Sequence, residues 1–315
     1  MLRIPVLLLM LCTLSAAQGQ LYTLSVDVEL VNVTAMVIDA SGRYIESLTE
    51  QDFQVLEDGR EQTISFFSHD TRVPVSIGVL IDRSGSHQDK LEQGLQIVSA
   101  IAATLSPHDE MFVITFNSRA VLRQKFTGSA EEIQHALVGV RAGGETAMYD
   151  AISLGLGELK AAKNRKQILL LLTDGFDTRS KIKAAETEES LTKSDALVYA
   201  IGIDDDDNNP RTRKRPRYHI YEYMLGRLTS AGRGRLIRLY AGRNYNLRSL
   251  AEMLVGELHQ EYTMGYYPTA GPERGGARSI EVRLTKPGAR ILGERLYLQR
   301  RDVVKQSAPK SSPVN

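Results

Sequence analysis

Three short stretches carry oxygen donors at a spacing that suits a hard cation. Asp82, Ser84 and Ser86 alternate along Asp82-Arg83-Ser84-Gly85-Ser86 and offer one carboxylate and two hydroxyls. Thr146 follows Gly143-Gly144-Glu145, where two glycines let the backbone bend and a hydroxyl turn inward. Asp174 lies in Leu172-Thr173-Asp174-Gly175 and adds a second carboxylate. Mg²⁺ takes about six oxygen ligands near ~2.1 Å, and Mn²⁺ and Ca²⁺ also favour oxygen. Two carboxylates at most just neutralise such an ion, so an open coordination position would accept an acidic group from a partner.

These residues need strands that end at a common edge. Val75 to Ile81 is a continuous apolar run, as a strand buried on both faces requires. Ile168 to Leu172 is a second such run, and Asp174 follows it. Met111–Phe116, Ala196–Ile203 and Leu236–Tyr240 read as further strands. Ala120–Phe126 reads as a strand antiparallel to Met111–Phe116, because only the short turn at Asn117-Ser118 joins them. Between the strands run helical patterns: Leu91 to Leu105, 147–162, 184–194 and 218–230, the last closed by Gly232. Ser129 with Glu132 predicts a capping box ahead of Ile133 and Leu137. Such alternation predicts an α/β fold with a doubly wound, mostly parallel sheet, whose ligand sites lie outside the carboxyl ends of the strands.

The Asp-x-Ser-x-Ser stretch after the first buried strand, the Thr of the Gly-Gly loop and the later Asp-Gly stand in the order of one known site. Together they resemble the metal-ion-dependent adhesion site of von Willebrand factor A domains, over about residues 74–245. The resemblance implies that Asp82, Ser84, Ser86, Thr146 and Asp174 hold one divalent cation. It also implies a protein ligand that presents an acidic side chain to the metal. Leu48-Thr49-Glu50-Gln51-Asp52-Phe53, Glu57-Asp58-Gly59 and Gly265-Tyr266-Tyr267-Pro268 resemble the flanks of VWFA-related proteins frequent in acidobacterial-type genomes.

Both flanks carry β patterns. Val33, Ala35 and Val37 continue a period-two alternation begun at Val26, and Phe53, Val55, Ile64 and Phe66 follow between turns. Tyr262–Tyr267, Ile280–Leu284 and Ile291–Leu298 form the C-terminal set. Neither set has enough strands to bury a face alone, so the two are expected to pair into one small β-sandwich-like domain. The expected organisation is a signal peptide at 1–19, the first part of the β domain at 20–74, the α/β domain at 75–245, a connecting helix at 246–261, the second part of the β domain at 262–302 and a disordered tail at 303–315.

Arg3, the apolar run Ile4–Leu14 and the small residues Ser15, Ala16 and Ala17 predict export, to the periplasm or beyond, with cleavage between about residues 18 and 21. No later run is long enough to span a bilayer. Cys12, the one cysteine, lies inside that run, so the mature chain would hold no thiol. The formal net charge of +1 gives no global field toward nucleic acid or acidic lipid.

No Gly-x-Gly-x-x-Gly and no Walker loop occurs, and the six histidines show no metal-ligand spacing. Asp204–Asp207 followed by Arg211, Arg213, Lys214, Arg215 and Arg217 forms a loop of mixed charge on the expected metal edge, either a specificity loop or a solvated insertion. Asp, Ser and Thr also serve turns and helix caps, which leaves a metal-free interaction domain as one alternative. A metal-assisted hydrolase is another, although no general base stands beside the ligands. The expectation is a non-enzymatic, cation-dependent binding module that does not take nucleic acid.

Overall fold

The computed structural model describes residues 30–299 apart from Ser41, residues 86–87, Asp174 and residues 205–216, 241–244 and 270–277. The signal-peptide expectation, the tail at 303–315, most of the mixed-charge loop, Ser86 and Asp174 fall outside the described residues.

β5 (Val75–Asp82) is central in a six-stranded sheet. It is flanked on one side by β6 (Glu110–Phe116) and β7 (Ala120–Thr127). On the other side lie β8 (Lys166–Leu172), β9 (Leu197–Asp204) and β10 (Leu236–Tyr240). Every neighbouring pair is parallel except β6 and β7. The short turn leaves the chain no room to cross back over the sheet, so β7 runs antiparallel, as the sequence predicts.

Alternate strand residues feed two cores. Ile77, Val79, Ile81, Leu170 and Leu172 face α1 (Gln88–Ala102), α2 (Ala130–Leu137) and α6 (Leu247–Leu258). Leu80, Phe112, Ile114, Leu169 and Leu171 face α3 (Met148–Leu159), α4 (Ala184–Lys193) and α5 (Arg217–Ala231). Burial on both sides explains why β5 and β8 read as unbroken apolar runs. α6 contributes Ala251, Leu254, Val255 and Leu258 to the first core, so it is a packed helix of that layer as well as a connection.

The flanks pair with each other. One sheet has the order β13 (Arg290–Gln299), β1 (Leu30–Ile38), β11 (Glu261–Tyr266), β4 (Ile64–Asp70). A second has the order β12 (Ile280–Leu284), β2 (Phe53–Glu57), β3 (Arg60–Gln62). Each sheet mixes strands from both ends of the chain. Val33, Val37, Tyr262, Met264 and Tyr266 of the first meet Phe53, Val55 and Val282 of the second. The observed architecture is a mostly parallel α/β sheet with a small sandwich assembled from both flanks.

Two local readings change. Ser129 accepts from Glu132 N–H at 3.2 Å, but the return half of the capping box is replaced. Ser129 N–H donates to Thr127 Oγ1, and the Glu132 carboxylate takes Gln124 Nε2–H instead. At the end of α5 the left-handed residue is Arg233, with φ 53°, not Gly232. Gly232 is needed for packing, since a Cβ there would lie 2.1 Å from Val198 Cγ2.

Candidate metal centre

Asp82 ends β5 and is fully buried. Its Oδ1 accepts from Ser84 N–H at 2.8 Å, which turns the chain sharply after the strand. Its Oδ2 accepts the Thr173 hydroxyl at 2.7 Å. Thr173 also accepts from Gly175 N–H at 3.1 Å, so it ties Gly175 back to the end of β8. β5 and β8 are neighbours, and their connections leave in opposite directions across the sheet, to β6 and to β9. Their ends therefore open a crevice at the strand-order reversal, where ligands bind in open α/β sheets.

The Thr146 loop is fastened to the same place. Gly85 N–H donates to Gly144 O at 3.0 Å, and Gly143 N–H to Arg83 O at 2.8 Å. Gly143 and Gly144 have φ values of 145° and 89°, the left-handed side that glycine adopts without strain. Asn117, at the end of β6, donates its amide to Gly143 O at 2.7 Å, and its carbonyl O takes Ala147 N–H at 2.6 Å. Arg83 spans the same gap, donating to Arg141 O and to Asn117 Oδ1. Thr146 is buried immediately before α3.

A third loop closes the far side. Thr146 N–H donates to Thr178 Oγ1 at 3.0 Å, and Thr146 O accepts from Thr178 N–H and Arg179 N–H. The α3 N-cap, Ala147, has no side chain able to cap. Asp177 does the work from the neighbouring loop, accepting Tyr149 N–H at 3.1 Å and the Ser180 hydroxyl at 2.5 Å. Ser180 Oγ in turn accepts Asp150 N–H, and the Asp150 carboxylate accepts Lys181 N–H and Ile182 N–H. Burial and the nearby Asp177 charge push the Tyr149 hydroxyl up to about 12, so it stays neutral beside that carboxylate.

Of the five ligands expected from sequence, Asp82, Ser84 and Thr146 lie on loops that hydrogen-bond one another, and all three are buried. Ser86 and Asp174 are outside the described residues. A buried carboxylate with buried hydroxyls around it is the donor chemistry that a hard divalent cation takes, so the residues fit such an ion. Sequence reasoning passed over Thr173, which bonds Asp82, and Asn117, Asp150 and Asp177, which fasten the surrounding loops. Asp177-Thr178-Arg179-Ser180 does carry a cap-like spacing, but it caps a helix far from it in sequence.

Residues 77–176 match the family described as von Willebrand factor type A domain, and that stretch runs from β5 through the Asp-Gly turn after β8. Inter-alpha-trypsin inhibitor heavy chain H4 from Bos taurus is 26% identical over 146 residues, 42% of this chain but only 16% of the relative. Among solved structures, BatB from Bacteroides thetaiotaomicron aligns with a TM-score of 0.46 and 17% identity, covering 58% of this chain and 98% of that one. A von Willebrand factor type A protein from Catenulispora acidiphila aligns at 0.47 and 15% identity, covering 78% and 72%. With the family match lying across the strand ends beside Asp82 and Thr173 and across the loop of Thr146, the chain carries a von Willebrand factor type A domain at residues 77–176.

Proposed function

We propose that this chain is an exported adhesion-type module that grips a protein through a divalent cation, Mg²⁺ or else Mn²⁺ or Ca²⁺, held by Asp82, Ser84, Ser86, Thr146 and Asp174. The observation that carries the reading is the tie between loops: Gly85 N–H to Gly144 O sets the Thr146 loop against buried Asp82 and Ser84. A bound cation supplies a Lewis-acid position that a partner's carboxylate oxygen can occupy. The chain's own part is to hold the oxygens, orient them through Thr173 and Thr178, and keep two strand ends and a helix N-terminus fixed around the ion. The module works by binding and not by turnover. Among the described residues no helix is long and apolar enough to cross a membrane, and export rests on the N-terminal sequence pattern.

Calorimetric titration of the full chain with Mg²⁺ and Mn²⁺ tests the reading. Wild type should bind at millimolar concentration or below, and Asp82→Ala should not. Equal binding by both proteins, or none by wild type, would overturn it.

A further inference from the structure

We infer that the partner segment is polyacidic: besides the carboxylate that meets the ion, it carries further Asp or Glu side chains that a collar of cations reads. This deepens the cation-adhesion reading and rests on it. Four loops sewn together around the site carry Arg83, Arg119, Arg141, Arg179 and Lys181. The turn 117–119 is joined to Arg83 through Asn117 Oδ1 and closed on itself by Asn117 N–H to Arg119 O. Arg83 also donates to Arg141 O, and Arg179 N–H donates to Thr146 O.

Among the described residues of these loops the charges do not cancel. Glu145 is the exposed carboxylate among the described loop residues, and it pairs with Arg179 at 3.4 Å. Asp150 and Asp177 are half-buried and spent on backbone N–H groups of α3 and its neighbouring loop. Asp82 and Asp174 are balanced by a divalent ion. Arg83 bonds to neutral acceptors, and Arg119, Arg141 and Lys181 are exposed with no side-chain partner among the described residues. Among the described residues of these loops, four positive charges are therefore left unbalanced, in a chain whose total is +1. Such local charge steers and selects an anionic partner even where each exposed pair is weak.

The chemistry favours carboxylates on a polypeptide over nucleic acid. Phe176 of these loops and Tyr149 at the start of α3 pack into the core, so the described loop residues offer no platform for base stacking.

The test uses the full chain with Mg²⁺ in excess and poly-L-glutamate as probe, compared with a single-stranded oligonucleotide of matched charge. The variant is Arg119→Glu with Arg141→Glu. Both side chains are exposed, and the Arg83 bond uses the carbonyl of Arg141, which the substitution keeps. Wild type should bind poly-L-glutamate only with Mg²⁺ present and more weakly as salt rises. The double variant should bind Mg²⁺ as wild type does, but poly-L-glutamate about tenfold more weakly. If Mg²⁺-loaded wild type ignores poly-L-glutamate, or the variant binds it equally well, the polyacidic partner is wrong while the metal reading stands. Oligonucleotide binding as tight as that of poly-L-glutamate also overturns it. Failure of wild type to bind Mg²⁺ removes both readings together.

Discussion

The hydroxyl of Thr173 donates to Asp82 Oδ2 at 2.7 Å, joining the end of β8 to the end of β5 inside the core. The bond leaves that carboxylate one fixed orientation. Groups that orient a metal ligand commonly matter to affinity by about 10–100-fold. Thr173→Val keeps the shape and removes the donor, so cation affinity should fall about tenfold with little change in melting temperature. Calorimetric titration beside thermal denaturation separates the two effects, and an unchanged affinity would show that Thr173 only packs.

Asp82→Ala and Thr146→Ala should differ in kind. The first removes a charged oxygen from the proposed centre and should abolish binding of Mg²⁺. The second removes a neutral ligand that water can replace, so binding should weaken several-fold, with a larger loss in affinity for an acidic probe. Circular dichroism should find both variants folded, since the two side chains sit at strand and helix ends.

Asp177 should matter to stability more than to coordination. It caps α3 from another loop, and loss of a cap typically costs about 1 kcal/mol. Asp177→Ala should lower stability by roughly that amount in urea denaturation. It should also make amide protons of residues 146–150 exchange faster, because the Tyr149 bond and the Ser180 link break together. Unaltered exchange there would mean that the loop is not held by this carboxylate.

Acid should loosen the join between the two layers. Burial pushes the Asp109 carboxyl up, but hydrogen bonds from His259, Val75 N–H and Ser106 together outweigh it and hold it below its ordinary value. The folded chain therefore releases this proton more readily than the unfolded one. Its contribution is complete above the unfolded value, about 3.9, and is lost as pH falls through the lower folded value. Unfolding free energy measured from pH 6 to pH 2 should decline at the acid end. Asp109→Ala should lose at least about 2 kcal/mol at neutral pH, because the Val75 and Ser106 N–H groups are left unsatisfied. It should also lack that part of the acid dependence; a variant with the full wild-type acid slope would refute the assignment.

The α/β sheet was legible because its strands are buried on both faces, and β5 and β8 announce this as apolar runs. β1 was harder: its alternation fails from Val33 to Ile38, all buried, because Val33 and Val37 face the sandwich core while Met36 and Ile38 face the α6 layer. The second sheet of the sandwich could not be read as such. Its register sets Leu56 against Glu281, and no local pattern specifies a pairing so distant in sequence. That Asp82, Ser84 and Thr146 lie on neighbouring, bonded segments was legible from residue type and position, whereas Thr173, Asn117 and Asp177 act across loops and carry ordinary turn chemistry.

The chain leaves and rejoins the sandwich at adjacent points, where Val73 N–H meets His259 O at 3.0 Å and Lys166 donates to Gln260 O at 2.7 Å. β5 starts at this joint and runs eight residues to Asp82. At ~3.3 Å per residue the two ends stand roughly 23 Å apart. The sandwich is thus a base and the carboxyl edge a tip, attached by two side-by-side strands of chain instead of one swivelling tether. Arg235 braces the base further, bonding to Gly42 O at 2.6 Å and pairing with Glu257 of α6. A partner gripped at the tip would pull along the length of the sheet, with both covalent connections sharing the tension.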